Sequence, residues 1–352
     1  MNRFQKTLAK KNDGRPPVWL MRQAGRYHSH YQALRKQHSF MDLCKLPEVA
    51  AEVAMGPIQD FDFDAAILFS DLLFPLEVMG MPLEYSPGPK LGWHLRSKTD
   101  LSKLSSKPGL AQQLDFQAKA MRLTRSRLSP EKGLLGFVGG PLTLFFYAVE
   151  GSHQKMGDPI PESQTAVAGL TDGRYDGFCE KLLPLLADNM VLQAQAGADT
   201  VAILDTCGGE VSPAQFRDHV APVLKELLKL FHQKLPNYPV TYYSKKTGPE
   251  YWEFLRPLQI EAMGIDWNHD IAQVLERWSD RFVIQGNVDP DWMLLPKMEL
   301  EPKLRHVFQS VHKLPQKFRR GWICGLGHGV LQTTPEENVR LFVQLEREIF
   351  GK

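Results

Sequence analysis

The sequence predicts one domain over residues 1–352, a single (β/α)8 barrel whose active-site cleft lies at the C-terminal ends of the strands. Three observations lead there. Eight short strand-like runs can be picked out, and most are followed by a helical pattern. Most runs are continuously apolar rather than alternating, as strands covered on both faces must be. Strand and helix then alternate about eight times, the rhythm of a parallel barrel. A doubly wound open sheet is the structural alternative, but the first strand lacks the Gly-rich turn that a dinucleotide fold places after it.

The strands read, in order, Val18 to Met21, Ala65 to Phe69, Leu134 to Val138, Thr200 to Leu204 and Pro239 to Tyr243. Ala262 to Asp266, Phe282 to Gln285 and Gly321 to Cys324 complete the set. Between them, Phe178 to Ala196 and Ser212 to Lys234 are amphipathic helices. The first stops at Gly197, which leads straight into a strand. The second opens on Ser212-Pro213, an N-cap followed by proline at the first helical position. Thr334-Pro335 opens a third helix by the same device. Two stretches interrupt the rhythm, Lys90 to Glu131 and Gly151 to Asp176, and the second reads as a loop over the barrel mouth.

Composition narrows the function. The chain is 43% apolar and 23% charged, with 42 Lys+Arg against 40 Asp+Glu and a net charge of +2. Phosphate-neutralising proteins carry a concentrated basic excess, so nucleic acid is not an expected partner. Cys44, Cys179, Cys207 and Cys324 form no C-x-x-C or H-x-C pair and read as free thiols of a reducing compartment. A polar N-terminal opening and the absence of a long apolar stretch predict a soluble, cytoplasmic protein with no membrane partner.

In a barrel, the residues after each strand build the site. Strand one is followed by Arg22-Gln23-Ala24-Gly25-Arg26-Tyr27, two arginines around a small turn where backbone can approach a ligand. Arginine suits bidentate recognition of carboxylates or phosphates, and Arg35 can add a third positive group. Asp71 directly ends strand two, where a carboxylate facing a partly dry cavity can accept N–H donors or stabilise positive charge. Tyr147 follows strand three, and Thr206-Cys207 follows strand four. No His–Cys spacing supports Cys207 as a nucleophile. His328 stands among Gly325, Gly327 and Gly329, a setting that presents a side chain to a ligand. These glycines lack a neighbouring Lys, Ser or Thr and do not read as a phosphate loop. No H-E-x-x-H, Walker A or EF-hand pattern occurs, so no metal is expected.

Met21-Arg22-Gln23-Ala24-Gly25-Arg26-Tyr27 and Ala65-Ala66-Ile67-Leu68-Phe69-Ser70-Asp71 resemble the signatures of the uroporphyrinogen decarboxylase family. Gly264 to Trp267, Gln285 to Pro290 and Gly325 to Gly329 look like its later motifs, in the expected order. The resemblance implies a (β/α)8 barrel, usually a homodimer. It implies removal of the four acetate carboxyls of uroporphyrinogen III, giving coproporphyrinogen III and CO2 without cofactor or metal. It also implies substrate-binding roles for Arg22, Gln23, Ala24, Gly25, Arg26, Arg35, Asp71, Tyr147, Thr206 and His328, with Asp71 and Arg22 as the catalytic pair. The chemistry agrees, because the pyrrole itself is the electron sink that a cofactor supplies elsewhere.

The chain departs from the family where Leu-Pro-Glu-Tyr becomes His28-Ser29-His30-Tyr31 and Pro-Trp-Thr-Leu becomes Pro141-Leu142-Thr143-Leu144. Thr206 stands for a serine, and the stretch from Glu84 to Leu95 is short. These changes are expected to bear on rim contacts and substrate fit. Two alternatives are a zinc-dependent methyltransferase of the same superfamily acting on methyl-corrinoid proteins and a non-catalytic tetrapyrrole-binding paralogue. The first needs a thiolate-rich zinc site that the scattered cysteines do not offer, and the retained Asp71 argues against the second.

Overall fold

Seven of the predicted apolar runs become neighbouring strands of one parallel sheet. The computed structural model describes residues 1–86, 88–151 and 160–351. In chain order the strands are β1 (Ala65–Ile67), β2 (Leu83–Tyr85), β3 (Pro89–Leu91), β4 (Gly133–Gly139), β5 (Thr200–Asp205), β6 (Val240–Ser244), β7 (Ala262–Gly264), β8 (Val283–Val288) and β9 (Trp322–Leu326). The sheet runs β1-β4-β5-β6-β7-β8-β9, and β2-β3 is a separate antiparallel hairpin. Every residue of β4, β5, β6, β8 and β9 is buried. This is the double-sided burial that their unbroken apolar runs predict.

The segment predicted as the first strand differs. Val18 makes a single parallel bridge, to Cys324 in β9. Pro16 and Pro17 have no N–H to give, and the Val18 N–H goes to the Asp64 carboxylate at 2.8 Å instead of to a strand. The remaining bonds tie the segment to both sheet edges. Trp19 N–H donates to Cys324 O at 3.1 Å, Cys324 N–H to Pro17 O at 2.9 Å, and Asp64 N–H to Val18 O at 2.9 Å. Gly325 is required at this approach, since a Cβ there would lie 2.4 Å from Trp19 O.

Charge fixes the same end of the sheet. Arg15 forms a bidentate pair with Asp64, both contacts 2.8 Å, and reaches Glu346 on the helix Glu336–Phe350 at 3.1 Å. Arg3 adds a contact to Asp64 at 3.0 Å. Glu346 is fully buried, and its Oε1 has no hydrogen-bond partner among the described residues. Burial pushes its carboxyl up to about 8; the Arg15 charge opposes this and the Asp64 charge adds to it.

The helices depart modestly from the sequence reading. The predicted Phe178 to Ala196 helix spans Arg174–Gln195. Its first residue is buried and donates to the carbonyls of Ser163 and Thr165 at 3.0 Å and to the Asp172 carboxylate at 2.7 Å. Arg174 thereby gathers the polar stretch before it into a short helix, Ala166–Gly169, and a turn. Residues 152–159 of the predicted loop lie outside the described residues. The predicted Ser212 to Lys234 helix is divided by a wider turn at Phe216–Val220 before Ala221–Lys234. Lys90 to Glu131 contains a helix of its own, Asp115–Arg127. All four cysteines are buried, and none forms a disulfide among the described residues.

A carboxyl whose affinity for protons is higher in the folded than in the unfolded chain stabilises the fold below its unfolded pKa, and that contribution is lost as pH rises through the folded value. The denaturant midpoint should therefore fall between pH 4.5 and about 8 on account of Glu346. Glu346→Gln should flatten that part of the curve; an unchanged slope would remove Glu346 as its source.

Candidate active site

The residues that follow the strands meet at one end of the sheet. Asp71 lies just after β1, and its Oδ1 accepts the Leu73 N–H at 2.9 Å. Burial pushes the Asp71 carboxyl above the usual carboxylate range, while the Tyr85 phenol, the Leu73 N–H and the Arg22 charge pull it back. Tyr147 projects from the helix Pro141–Glu150 that follows β4 and is half-buried. Burial and the negative charge of Asp71 push its phenol up to about 12, against the pull of Arg22. Arg22, Asp71, Tyr85 and Tyr147 thus form one interacting group.

Arg22 holds an uncommon backbone conformation for a side chain, with φ of +59°. Such a conformation costs of order 1–3 kcal/mol and recurs at functional sites. Its consequence here is directional. The Arg22 stem passes over Gly329, where an added Cβ would lie 2.4 Å from Arg22 Cδ and 2.7 Å from Cγ. Beside Gly329, His328 is half-buried and stacks on Tyr243, with ring centroids 5.9 Å apart and planes at 17°. The Tyr243 hydroxyl donates to Gly327 O at 2.9 Å, which fixes that stack, and the charge of Arg22 acts on Tyr243 too. Thr206 is half-buried in the turn after β5.

Arg26 and Arg35 stand apart from this inner group. Both are exposed, and both positive charges act on the Tyr31 phenol. Arg35 is further fixed by donating to His38 O at 2.7 Å. All three arginines are exposed; the Arg22 charge acts on Asp71, Tyr147 and Tyr243, and those of Arg26 and Arg35 on Tyr31. Ala24 and Gly25 make the half-buried turn between Arg22 and Arg26.

Gln23 is placed behind the arginine turn, against β1. It is fully buried, and its side chain donates to Ala65 O at 3.0 Å and accepts the Leu20 N–H at 3.3 Å. The Tyr27 hydroxyl donates to its carbonyl at 2.7 Å. Gln23 couples the arginine turn to β1, and none of these bonds is made toward a ligand. The expectation that His28 and Leu142 bear on the rim is likewise corrected, since both are fully buried. His28 packs on Phe61 at 5.0 Å, and its Nε2 lies 2.7 Å from Asp60 Oδ2; burial lowers its affinity for a proton. His30 lies 3.2 Å from Glu52.

Cys207 is buried, and burial pushes its thiol well up, so it does not supply a thiolate. Among the described residues, no three His, Cys, Asp or Glu side chains converge as a metal site requires. Among the described residues, no helix is long and apolar enough to cross a membrane. Sequence reasoning missed Tyr85 and Tyr243. The first lies on a hairpin outside the barrel rhythm, and the second was absorbed into an apolar strand.

Residues 1–349 match the family described as Uroporphyrinogen decarboxylase (URO-D). The chain belongs to the uroporphyrinogen decarboxylase family. A uroporphyrinogen decarboxylase of Pelobacter propionicus is 36% identical over 330 residues, covering 94% of this chain and 93% of the relative. One of Geobacter sulfurreducens is 34% identical over 351 residues, covering 100% of this chain and 99% of its own. Among solved structures, a methyltransferase from Methanosarcina mazei aligns with a TM-score of 0.73 over 98% of this chain and 97% of its own. At 18% identity that likeness is one of fold.

Placement of Arg22 in this uroporphyrinogen decarboxylase family member leads to a test. Gly329→Ala should displace the arginine stem and lower turnover at least about tenfold, with an unfolding midpoint close to the parent's. Unchanged turnover would show that the stem's path over Gly329 is immaterial.

Proposed function

We propose that the chain removes the four acetate carboxyl groups of uroporphyrinogen III, yielding coproporphyrinogen III and four CO2, without a cofactor. The observation that carries this reading is a half-buried carboxylate, Asp71, acted on by the Arg22 charge, with two further arginines along the same segment of chain. A cyclic tetrapyrrole bearing eight carboxylates presents the complement: N–H groups at its centre and anions around its edge.

Each cycle begins with a proton added to a pyrrole carbon, which leaves the ring cationic. The bond between the acetate methylene and its carboxyl then breaks. CO2 departs, and the bonding electrons flow into the cationic ring. A proton on the methylene gives the methyl group, and loss of the added ring proton restores the pyrrole. Asp71 accepts the pyrrole N–H groups and stabilises the positive ring, a preorganised charge where charge develops. Arg22, Arg26 and Arg35 hold substrate carboxylates by charge-assisted hydrogen bonds. Tyr147, Thr206 and His328 line the pocket, while Gln23, Ala24 and Gly25 set the turn that aims the arginines. Arg22 also stands beside the reacting group; as a guanidinium it is a charge rather than a ready acid, so a substrate carboxyl or water is the better proton source.

The proposed architecture is a (β/α)8 barrel in which Pro17 to Leu20 occupies the eighth position, between β9 and β1. A cytoplasmic homodimer completes the proposal.

Anaerobic incubation with uroporphyrinogen III, followed by oxidation and chromatography, should give hepta- through tetracarboxylate porphyrins. Binding without these products would leave a carrier. Asp71→Asn should lose about hundredfold or more in turnover with little loss of stability; near-parental turnover would take Asp71 out of the mechanism. Arg26→Ala should raise KM with a smaller effect on kcat, and an unchanged KM would refute its role as an anchor.

A further inference from the structure

One buried carboxylate beside the site takes no part in the proposed chemistry. Asp205 is the last residue of β5, directly before Thr206, and it is fully buried. The groups that bond it are neutral donors from two neighbouring elements. Its Oδ1 accepts the Thr143 backbone N–H at 2.9 Å and the Thr143 hydroxyl at 2.7 Å, and its Oδ2 accepts the Tyr242 hydroxyl of β6 at 3.1 Å. A carboxylate taken out of water needs such donors, and in exchange it holds them firmly.

Thr143 is the third residue of the helix Pro141–Glu150, and its N–H is one of those a helix leaves open at its start. An N-cap serine, threonine or aspartate ordinarily accepts such an N–H. Here the N-cap is Gly140, which has no side chain to do so. A Cβ at Gly140 would lie 2.5 Å from the Asp205 Cβ and 2.6 Å from its Oδ1, so Asp205 fills the space that a cap residue's own side chain would use. The strand lends the helix its cap. The Gly140 N–H, donated to Leu204 O at 2.8 Å, holds the two chains at that approach. The Thr143 hydroxyl also accepts the Cys207 N–H at 3.1 Å. Thr206 is thus bracketed, with the residues before and after it both tied to Thr143. One helical turn beyond Thr143, at the neighbouring i+4 position, stands Tyr147.

We propose that Asp205 is a positioning residue: by capping the helix Pro141–Glu150 from β5, it sets Thr206 and Tyr147, which come from different strand exits, at one fixed spacing for the substrate. This rests on the decarboxylase reading of the site. A cap from within the helix would steady that helix alone. A cap supplied across the sheet also fixes where the helix starts relative to the next strand, and displacements of about 1 Å in such a frame are felt strongly at a binding site.

Thr143→Val keeps the side-chain shape and the backbone cap but removes the hydroxyl that links Asp205 to Cys207. It should raise KM for uroporphyrinogen III about tenfold with kcat within about threefold, and Thr143→Ser should restore the parent KM. Asp205→Asn still offers Thr143 an oxygen and should raise KM less than Asp205→Ala; Thr143→Val carries the test where Asp205→Ala does not fold. In a Thr206→Ala, Tyr147→Phe background, Thr143→Val should change KM less than about twofold, because the groups it positions are gone. An effect of equal size in both backgrounds, or a lowered unfolding midpoint with KM unmoved, would assign the link to stability and overturn the proposal. Amide hydrogen exchange needs no turnover: the Cys207 N–H should exchange at least about tenfold faster in Thr143→Val than in the parent, and unchanged exchange would refute the link. If the parent released no CO2, the decarboxylase reading would fail by itself, while the link between Asp205 and the two chains would still stand or fall on the exchange.

Discussion

The end of the sheet that carries Arg22 and Asp71 depends on how Pro17 to Leu20 is held between β9 and β1. That segment has too few free donors for a strand, so its position is set by side chains. Asp64 supplies the acceptor for Val18 N–H and receives the bidentate fork of Arg15. A bidentate arginine–carboxylate pair sets orientation as well as distance. From this anchor the chain emerges four residues later as Arg22, already aimed by its positive φ across Gly329. Gln23 then ties the turn back to β1, the strand that delivers Asp71. Cation and carboxylate therefore share one rigid mounting rather than reaching each other from independent loops.

Two kinds of electrostatics are at work in the same sheet. At the far end from the cleft, Glu346 is buried beside Arg15 and one of its oxygens has no partner, which favours the protonated acid. Where the strands exit, Asp71 is half-buried, and a backbone N–H, a phenol and a guanidinium act on it. Burial pushes both groups toward the neutral form, and in each case neighbouring positive charge opposes it.

Much of this was legible because the chemistry of a parallel α/β sheet follows strand exits. Arg22, Asp71, Tyr147 and His328 each stand directly after an apolar run or on the helix that continues it, so the alternation locates them. The segment at Val18 was harder. Its apolar residues read as a strand, yet the two prolines before it and the competing Asp64 acceptor lie outside any periodicity count. Tyr85 gave no signal, since a short hairpin between barrel elements is invisible to an eightfold rhythm. The burial of Gln23 was also not legible, because nothing in the run of residues around it signals that its side chain bonds to Ala65 O in β1. His28 and Leu142 differ from the family pattern at positions that the fold buries, so they are matters of packing behind the rim.

The Arg15–Glu346 contact joins residues 331 positions apart. Closing so long a loop is entropically slow, and contacts of this separation form late in folding. During synthesis the arginine turn emerges well before the strand and helix that seat it. The nascent chain thus carries Arg22, Arg26 and Arg35 before it has a sheet edge to put them against.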